Sequence, residues 1–88
     1  MRTKFGSITF TGSYQSVTLP VAYRYLEIYN SSTGNILVKL NGESTARDFA
    51  SGDKFFLEAK SDHEDLKDTV QVSGTAAESV TYEYQVRG

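Results

Sequence analysis

Apolar and polar residues alternate along most of this chain, and this alternation limits the folds that it can adopt. The clearest example lies between Tyr25 and Gly42, where two runs, 26–28 and 36–40, place an aliphatic residue at every second position. A period of two residues is typical of β-strands with one buried face, whereas an amphipathic helix repeats every three to four residues. The turn formers at 30–35 separate the two runs, so the sequence predicts a β-hairpin here.

The register of the predicted hairpin follows from the residues that must face the core. Pairing Ile28 with Val38 keeps the aliphatic side chains of both strands on one face. The same register sets Glu27 opposite Lys39 on the other face, and a cross-strand pair of opposite charges contributes about 0.2–1 kcal/mol. We therefore expect these two strands to be neighbours in one antiparallel sheet.

Further alternating runs predict strands near residues 3–11, 16–19, 45–49, 54–59, 69–73 and 79–87. Turn signals such as Asn41-Gly42 separate them, since both residues accept a positive φ. Phe55, Phe56 and Leu57 are consecutive, which indicates burial on both faces of that strand or packing against a partner. Short strands at this spacing predict an all-β fold, either a small antiparallel β-sandwich or a jelly-roll-like barrel of about seven to eight strands, in one domain over residues 1–88.

Composition and charge exclude several classes of protein. The sequence has no cysteine, so disulfides and thiolate ligands are excluded. The net charge is −2, whereas a duplex-binding domain of this size is normally basic, so we expect no nucleic-acid partner. Apolar runs reach only two or three residues, so we expect no membrane partner. No apolar run follows the basic start of the chain, which predicts synthesis in the cytoplasm without secretion.

The densest polar segment, residues 60–68, holds the only histidine, His63, and four carboxylates. Several carboxylates on one loop could bind calcium, but the ligand spacing of a calcium loop is absent. A solvated loop and a single helical turn, capped by Ser61 and Glu64, are the alternatives. His63 could act as a base, but no nucleophile motif accompanies it. We therefore expect no enzymatic activity, no cofactor and no metal site.

Tyrosines mark a candidate interaction surface. If Leu26 and Ile28 face the core, then Tyr23, Tyr25 and Tyr29 face outward together. Such a stripe indicates a protein interface or a platform for sugars, because tyrosine combines rigid contact area with a polar tip. The alternative is the β-propensity of tyrosine on a half-solvated face.

The N-terminal segment is a second candidate interaction surface. Residues 2–7 are polar except for Phe5 and end where the core alternation begins, at Ile8. We predict that residues 2–7 pair with or pack on another chain, with Phe5 as the apolar anchor. The alternative, for a segment ordered from Met1 onward, is an N-terminal strand in the protein's own sheet. The predicted interface residues are Phe5, Tyr23, Tyr25, Tyr29 and Leu37.

Three segments of the chain carry a resemblance to a known group of proteins. They are LEIYN leading to ILVKLNG (26–30 and 36–42), FASGDKFFL (49–57), and VQVSGTA leading to VTYEY (70–76 and 80–84). Together they resemble the small β-sandwich virion proteins of tailed bacteriophages, in which comparable strands, turn glycines and a Gly-x-Ala connection recur.

The resemblance implies a structural virion protein, with no catalytic residues to transfer. Its expected role is capsid decoration or cementing, by binding and stabilising the shell of the major capsid protein, with other virion proteins as further partners. A homo-oligomer on the particle, a dimer or trimer, is also expected, and the expected location is the virion. The alternative function, based on the tyrosines, is a tail-associated carbohydrate-binding or host-adhesion module.

Overall fold

The computed structural model describes residues 2–87 and shows a β-sandwich of two four-stranded antiparallel sheets. Its strands are β1 (Arg2–Thr9), β2 (Gln15–Ser16), β3 (Tyr25–Tyr29), β4 (Ile36–Leu40), β5 (Arg47–Phe49), β6 (Lys54–Glu58), β7 (Val70–Ser73) and β8 (Ser79–Val86). Sheet I has the order β1-β8-β3-β6, and sheet II has the order β2-β7-β4-β5. The all-β expectation is confirmed, with the sandwich as the form adopted. No helix long and apolar enough to cross a membrane occurs among residues 2–87.

The core lies between the two sheets and is built from alternate residues of their strands. Leu26 and Ile28 of β3 face Ile36 and Val38 of β4 across this layer, all fully buried. Each such aliphatic side chain contributes about 1.5–3 kcal/mol by leaving water. The inward positions of these strands agree with the alternation in the sequence.

The predicted hairpin between β3 and β4 is wrong, because the two strands belong to different sheets. β3 pairs with β6 and β8, so the neighbours of Ile28 are Phe55 and Tyr82. β4 pairs with β5 and β7, so Val38 lies opposite Val72 rather than Ile28. Residues 30–35 therefore carry the chain across the core from sheet I to sheet II. Both strands keep their predicted buried face, but they meet face to face instead of edge to edge.

The buried side chain of Asn30 explains this crossing. Asn30 is 0% exposed, and its Nδ2 donates to the carbonyls of Gly34 and Phe49, at 2.9 Å each. Its Oδ1 accepts from the amide of Ser32 at 3.1 Å and from the Ser32 hydroxyl at 2.5 Å. One side chain thus satisfies polar groups of the connection and ties it to the end of β5. A buried amide with all its partners fixes the local backbone, since leaving any of them unpaired is costly.

Three further predictions concern the N-terminal strand, the turn at Asn41-Gly42 and the segment that begins at Ser61. β1 pairs with β8 over its whole length, so the alternative of an N-terminal strand in the protein's own sheet is confirmed, whereas contact of residues 2–7 with another chain stays a prediction. Met1, which was part of that expectation, lies outside the described residues, as does Gly88. Asn41 and Gly42 form the predicted turn, with φ of 52° and 72°. The segment from Ser61 to Glu64 closes as a turn with an antiparallel bridge and is not helical.

Replacing Asn30 tests the importance of the crossing. We expect Asn30→Ala to lower the free energy of unfolding by about 2–4 kcal/mol, because buried partners lose their hydrogen bonds. Asn35→Ala, at an exposed position of the same connection, is the matched control and should stay within about 0.5 kcal/mol of wild type. Urea denaturation followed by circular dichroism measures both. A loss below about 1 kcal/mol for Asn30→Ala would show that the crossing does not depend on this side chain.

Candidate functional site

The exposed aromatic rings of residues 2–87 all lie on the outer face of sheet I. Phe5 of β1 is 77% exposed, Phe56 of β6 is 56% exposed and Tyr29 of β3 is 47% exposed. Isolated exposed apolar residues are common, but three rings on one face of a small sandwich are not needed by its core. The outer face of sheet I is therefore the candidate functional site.

The register of sheet I places two glutamates between two of these rings. Phe5 lies opposite Glu83, Glu83 lies opposite Glu27, and Glu27 lies opposite Phe56. Directly opposite residues share a face, so this row crosses all four strands in the order ring, carboxylate, carboxylate, ring. The neighbouring row places Tyr25 opposite Glu58. We call this surface the acidic aromatic face, defined by Phe5, Tyr25, Glu27, Tyr29, Lys54, Phe56, Glu58 and Glu83.

Hydrogen bonds and charges fix the state of Glu27 at the centre of the face. The Tyr25 hydroxyl donates to Glu27 Oε1 at 2.8 Å, and Lys54 Nζ lies 3.4 Å from the same oxygen. The hydrogen bond from Tyr25, assisted by the charge of Lys54, lowers the pKa of Glu27 despite its partial desolvation. Glu27 is therefore a carboxylate at neutral pH, held in place by two neighbours.

The pKa of Tyr25 reflects the negative charge of the same face. Desolvation raises the pKa of Tyr25 to about 12, and the hydrogen bond to Glu27 adds to this effect. The charges of Glu27, Glu83 and Glu58 act in the same direction. The three carboxylates outnumber the single ammonium group of Lys54, so the face attracts cations rather than anions.

A shallow depression lies within the face, between β1 and β3. Its lining consists of Phe5, Glu27, Tyr29, Thr81, Tyr82 and Glu83. Both carboxylates of the central row and two of the three exposed rings contribute to it. Chemically, the depression can accept a cationic group through the carboxylates and cover its planar or aliphatic part with an aromatic ring.

The structure separates Tyr23 from the other predicted tyrosines. Tyr25 and Tyr29 lie on the outer face as predicted, but Tyr23 is 1% exposed, and its hydroxyl donates to the Asp68 carbonyl at 2.7 Å. Burial, with a smaller effect of the Asp68 charge, raises the pKa of Tyr23 to about 12. Its prediction as an outward residue is wrong.

The cause is an extra residue at Arg24. The amide of Arg24 donates to the Gln85 carbonyl at 2.6 Å, although Tyr25 is the register partner of Gln85. Arg24 and Tyr25 thus both lie opposite Gln85, as in a β-bulge. The extra residue reverses the alternation of buried and exposed positions, so Tyr23 points toward the core.

Leu37 lies apart from the other predicted interface residues. It projects from the outer face of sheet II, opposite Asp48 and Ser73, and is 37% exposed. The register predicted for the hairpin, with Ile28 opposite Val38, would place Leu37 opposite Tyr29. The two residues are separate because β3 and β4 are in different sheets. The structure therefore brings together Phe5, Tyr25 and Tyr29, and it places Leu37 on the opposite side of the sandwich.

Sequence reasoning missed Phe56, Glu27 and Glu83 as members of the site. The run of three apolar residues at 55–57 was the available signal for Phe56. Phe55 is buried while Phe56 is exposed, so burial on both faces is wrong, and packing against a partner stays a prediction. Nothing in the sequence indicates that the two glutamates are neighbours. Glu27 lies opposite Glu83 because β3 pairs with β8, and the only neighbour predicted for β3 was β4.

In the acidic segment at residues 60–68, the carboxylates of Asp65 and Asp68 contact neighbouring side chains. Asp65 Oδ1 accepts from Arg87 Nε at 2.8 Å and from Arg24 Nη1 at 3.2 Å. Desolvation opposes ionisation of Asp65, but the two arginines outweigh it and lower its pKa. Asp68 Oδ1 accepts from Asn41 Nδ2 at 2.7 Å. Within residues 2–87, no three potential metal ligands come together.

Comparison of this chain with protein-family models, with curated proteins and with solved structures gives no match. The interpretation of the site therefore depends on its own geometry. That geometry is a rigid, net negative sheet surface with exposed rings and a shallow depression, and it suits binding of another molecule over a broad contact.

Alkaline titration tests the electrostatics of the face. Because the pKa of Tyr25 is raised to about 12 in the folded state, its contribution to stability is present below pH 10 and is lost as the pH rises from 10 to 12. Glu27→Gln should lower the pKa of Tyr25 toward 10, without reaching it, since desolvation remains. Tyrosinate absorbance at increasing pH measures this. The control is Glu43→Gln, outside the face, and an unchanged titration in Glu27→Gln would contradict the assignment.

Proposed function

We propose that this protein is a structural virion protein of a tailed bacteriophage that decorates or cements the capsid by binding the shell of the major capsid protein. The observation that carries the proposal is the exposure of Phe5, Tyr29 and Phe56 on one sheet face. Contiguous exposed aromatic surface is typical of protein interfaces, because rigid rings supply contact area at a small cost in conformational entropy. The resemblance of three strand segments to small phage virion proteins supports the choice of partner.

The architecture supports a role as a rigid part of a larger assembly. The described chain measures 37 × 25 × 19 Å, and its acidic aromatic face covers one broad side. The face is a hydrogen-bonded sheet with the core directly behind it, so docking requires little ordering of the backbone. We infer a non-enzymatic role in the virion without a cofactor, with virion proteins and copies of the chain itself, as a dimer or trimer, as partners instead of nucleic acid or membrane.

A second function, carbohydrate binding in a tail-associated or host-adhesion module, is favoured by one specific observation. Exposed rings at Tyr29 and Phe56 lie beside carboxylates that can accept hydrogen bonds from sugar hydroxyls. Glycan-array binding that is lost on Tyr29→Ala would support this function. The platform is smaller than the sequence predicted, because Tyr23 is buried, and this favours the capsid function.

Co-sedimentation tests the capsid function. Purified protein is mixed with shells assembled from the major capsid protein of the phage that encodes it, and the shells are pelleted. We expect wild type to pellet with the shells and Phe56→Ser to bind at least about tenfold more weakly, because burying a phenylalanine contributes about 1.5–3 kcal/mol.

The matched control for co-sedimentation is Leu37→Ser, an exposed apolar residue on sheet II, which should pellet like wild type. Circular dichroism verifies that both variants are folded. Wild-type protein that stays in the supernatant with shells present would overturn the capsid function, and a glycan-array signal from the same preparation would favour the adhesion module.

A further inference from the structure

Strand β6 forms one edge of sheet I, and within residues 2–87 it pairs only with β3. At its start, the Asp53 carbonyl accepts from the Asn30 amide at 2.8 Å. Past its end, the Ala59 amide donates to the Arg24 carbonyl at 2.9 Å. Backbone groups of successive residues point to opposite sides of a strand, so the odd-numbered residues of β6 direct theirs to β3. The even-numbered residues direct theirs away from the sheet.

The outward-directed backbone groups belong to Lys54, Phe56 and Glu58, and no strand of residues 2–87 receives them. The Phe56 side chain beside this edge is 56% exposed. Proteins usually protect such an edge with proline or with charges, because unpaired N–H and C=O groups recruit another strand. β6 contains no proline, and its two charges have opposite signs. This edge is therefore open to pairing with a strand of complementary charge.

The residue order of β6 makes the strand complementary to itself. In an antiparallel pair of two copies with Phe56 opposite Phe56, each Lys54 lies opposite Glu58 of the second copy. On the inner face, Phe55 lies opposite Leu57 of the second copy. Opposite charges, aromatic rings and apolar side chains at facing positions stabilise β pairing. The three outward-directed residues of each copy also exchange about six backbone hydrogen bonds.

Other registers of this pair lose the complementarity. A shift by one residue would set core-facing side chains opposite outer ones. A shift by two residues places Lys54 either opposite Phe56, with Glu58 opposite a glycine, or opposite Lys60, a like charge. Only the register centred on Phe56 pairs both charges of the strand.

The charges of β6 are available for this contact. Glu58 makes no ion pair within residues 2–87. Lys54 Nζ lies 3.4 Å from Glu27 Oε1, but an ammonium has three donors. Lys54 can therefore retain Glu27 while it contacts Glu58 of the second copy.

We propose that two copies of this chain associate through β6, with Phe56 opposite Phe56, and join their four-stranded sheets I into one continuous antiparallel sheet. Such a two-fold contact uses the same surface on both copies and closes at a dimer. Facing residues share a side of a sheet, so the acidic aromatic faces of both copies point in the same direction. The inference deepens the proposed function and rests on it only in that the dimer acts on the capsid shell.

The other edge of sheet I, β1, matches a second copy less well. Its charged residues, Arg2 and Lys4, are both basic, so no pairing of β1 with itself brings opposite charges together. A head-to-tail contact with Phe5 opposite Phe56 sets both charges of β6 opposite hydroxyl side chains. β1 is thus left for contact with the shell.

Charge reversal tests the contact in the full chain. We expect a monomer–dimer equilibrium in analytical ultracentrifugation at concentrations up to millimolar. Glu58→Lys and Lys54→Glu should each raise the dimer dissociation constant at least about tenfold, because each sets two like-charged pairs across the axis. An equimolar mixture of the two variants should recover wild-type affinity to within about fivefold, since every charged pair of the mixed dimer is again opposite in sign.

The matched control is Lys4→Glu, the same change on the other edge strand, which should leave the dissociation constant within about twofold of wild type. Circular dichroism verifies that all variants are folded. Wild type that stays monomeric at millimolar concentration, or single variants whose mixture does not recover dimerisation, would overturn the proposal. Dimerisation that is lost in Lys4→Glu instead would assign the contact to β1 and also overturn it.

A cysteine variant tests the register without altering a charge. The chain has no cysteine, so a single introduced thiol reports one position. Phe56→Cys sets two thiols directly opposite each other, at a Cα separation of about 5.5 Å that a disulfide spans. We expect oxidation to produce a covalent dimer much faster than in Phe5→Cys, the control on β1. Equal rates for the two variants would contradict the register.

Shell binding separates this inference from the proposed function. If wild type pellets with shells but is monomeric in solution, and Phe56→Cys forms no covalent dimer on pelleted shells, the β6 contact is wrong and the capsid function stands. If the dimer and its disulfide form but wild type never pellets with shells, the capsid function is wrong and the β6 contact stands.

Discussion

The arrangement of this sandwich depends on the buried hydrogen bonds of Asn30. They hold residues 30–35 in a conformation that takes the chain from sheet I to sheet II. Since β4 does not pair with β3, both edges of β3 are free to pair with other strands. β6 and β8 occupy those edges, so Glu27 lies between Phe56 and Glu83. Had β3 and β4 formed a hairpin, one of these neighbours would have been excluded. A buried amide that is not part of the acidic aromatic face thus determines which side chains meet there.

The sequence predicted which residues are buried more successfully than which strands are neighbours. Alternation identified the inward positions of β3 and β4, because successive residues of a strand point to opposite faces. The same pattern is satisfied whether two apolar faces lie side by side or opposite each other, so the partner of Ile28 was not determined by it. Hydrogen bonds between distant residues, such as Asn30 with Phe49, decide between these arrangements, and they leave no periodic signal.

The candidate site was predicted in part for the same reason. Phe5, Tyr25 and Tyr29 reach a common face because each follows the alternation of its own strand, whereas Tyr23 does not, because one extra residue at Arg24 reverses that alternation. Glu83 could be recognised as outward from its tyrosine neighbours. Its position opposite Glu27 depends on a long-range register, so the charge of the face emerges only from the assembled sheet.

The rigidity of the face determines how a partner can use it. Each outward residue of the central row is flanked by core residues, such as Ile28 and Tyr82, whose packing leaves the backbone little freedom. The hydroxyl of Tyr25 and the ammonium of Lys54 further restrict Glu27. A surface of this kind cannot adapt to its ligand, so adjustment must come from the partner.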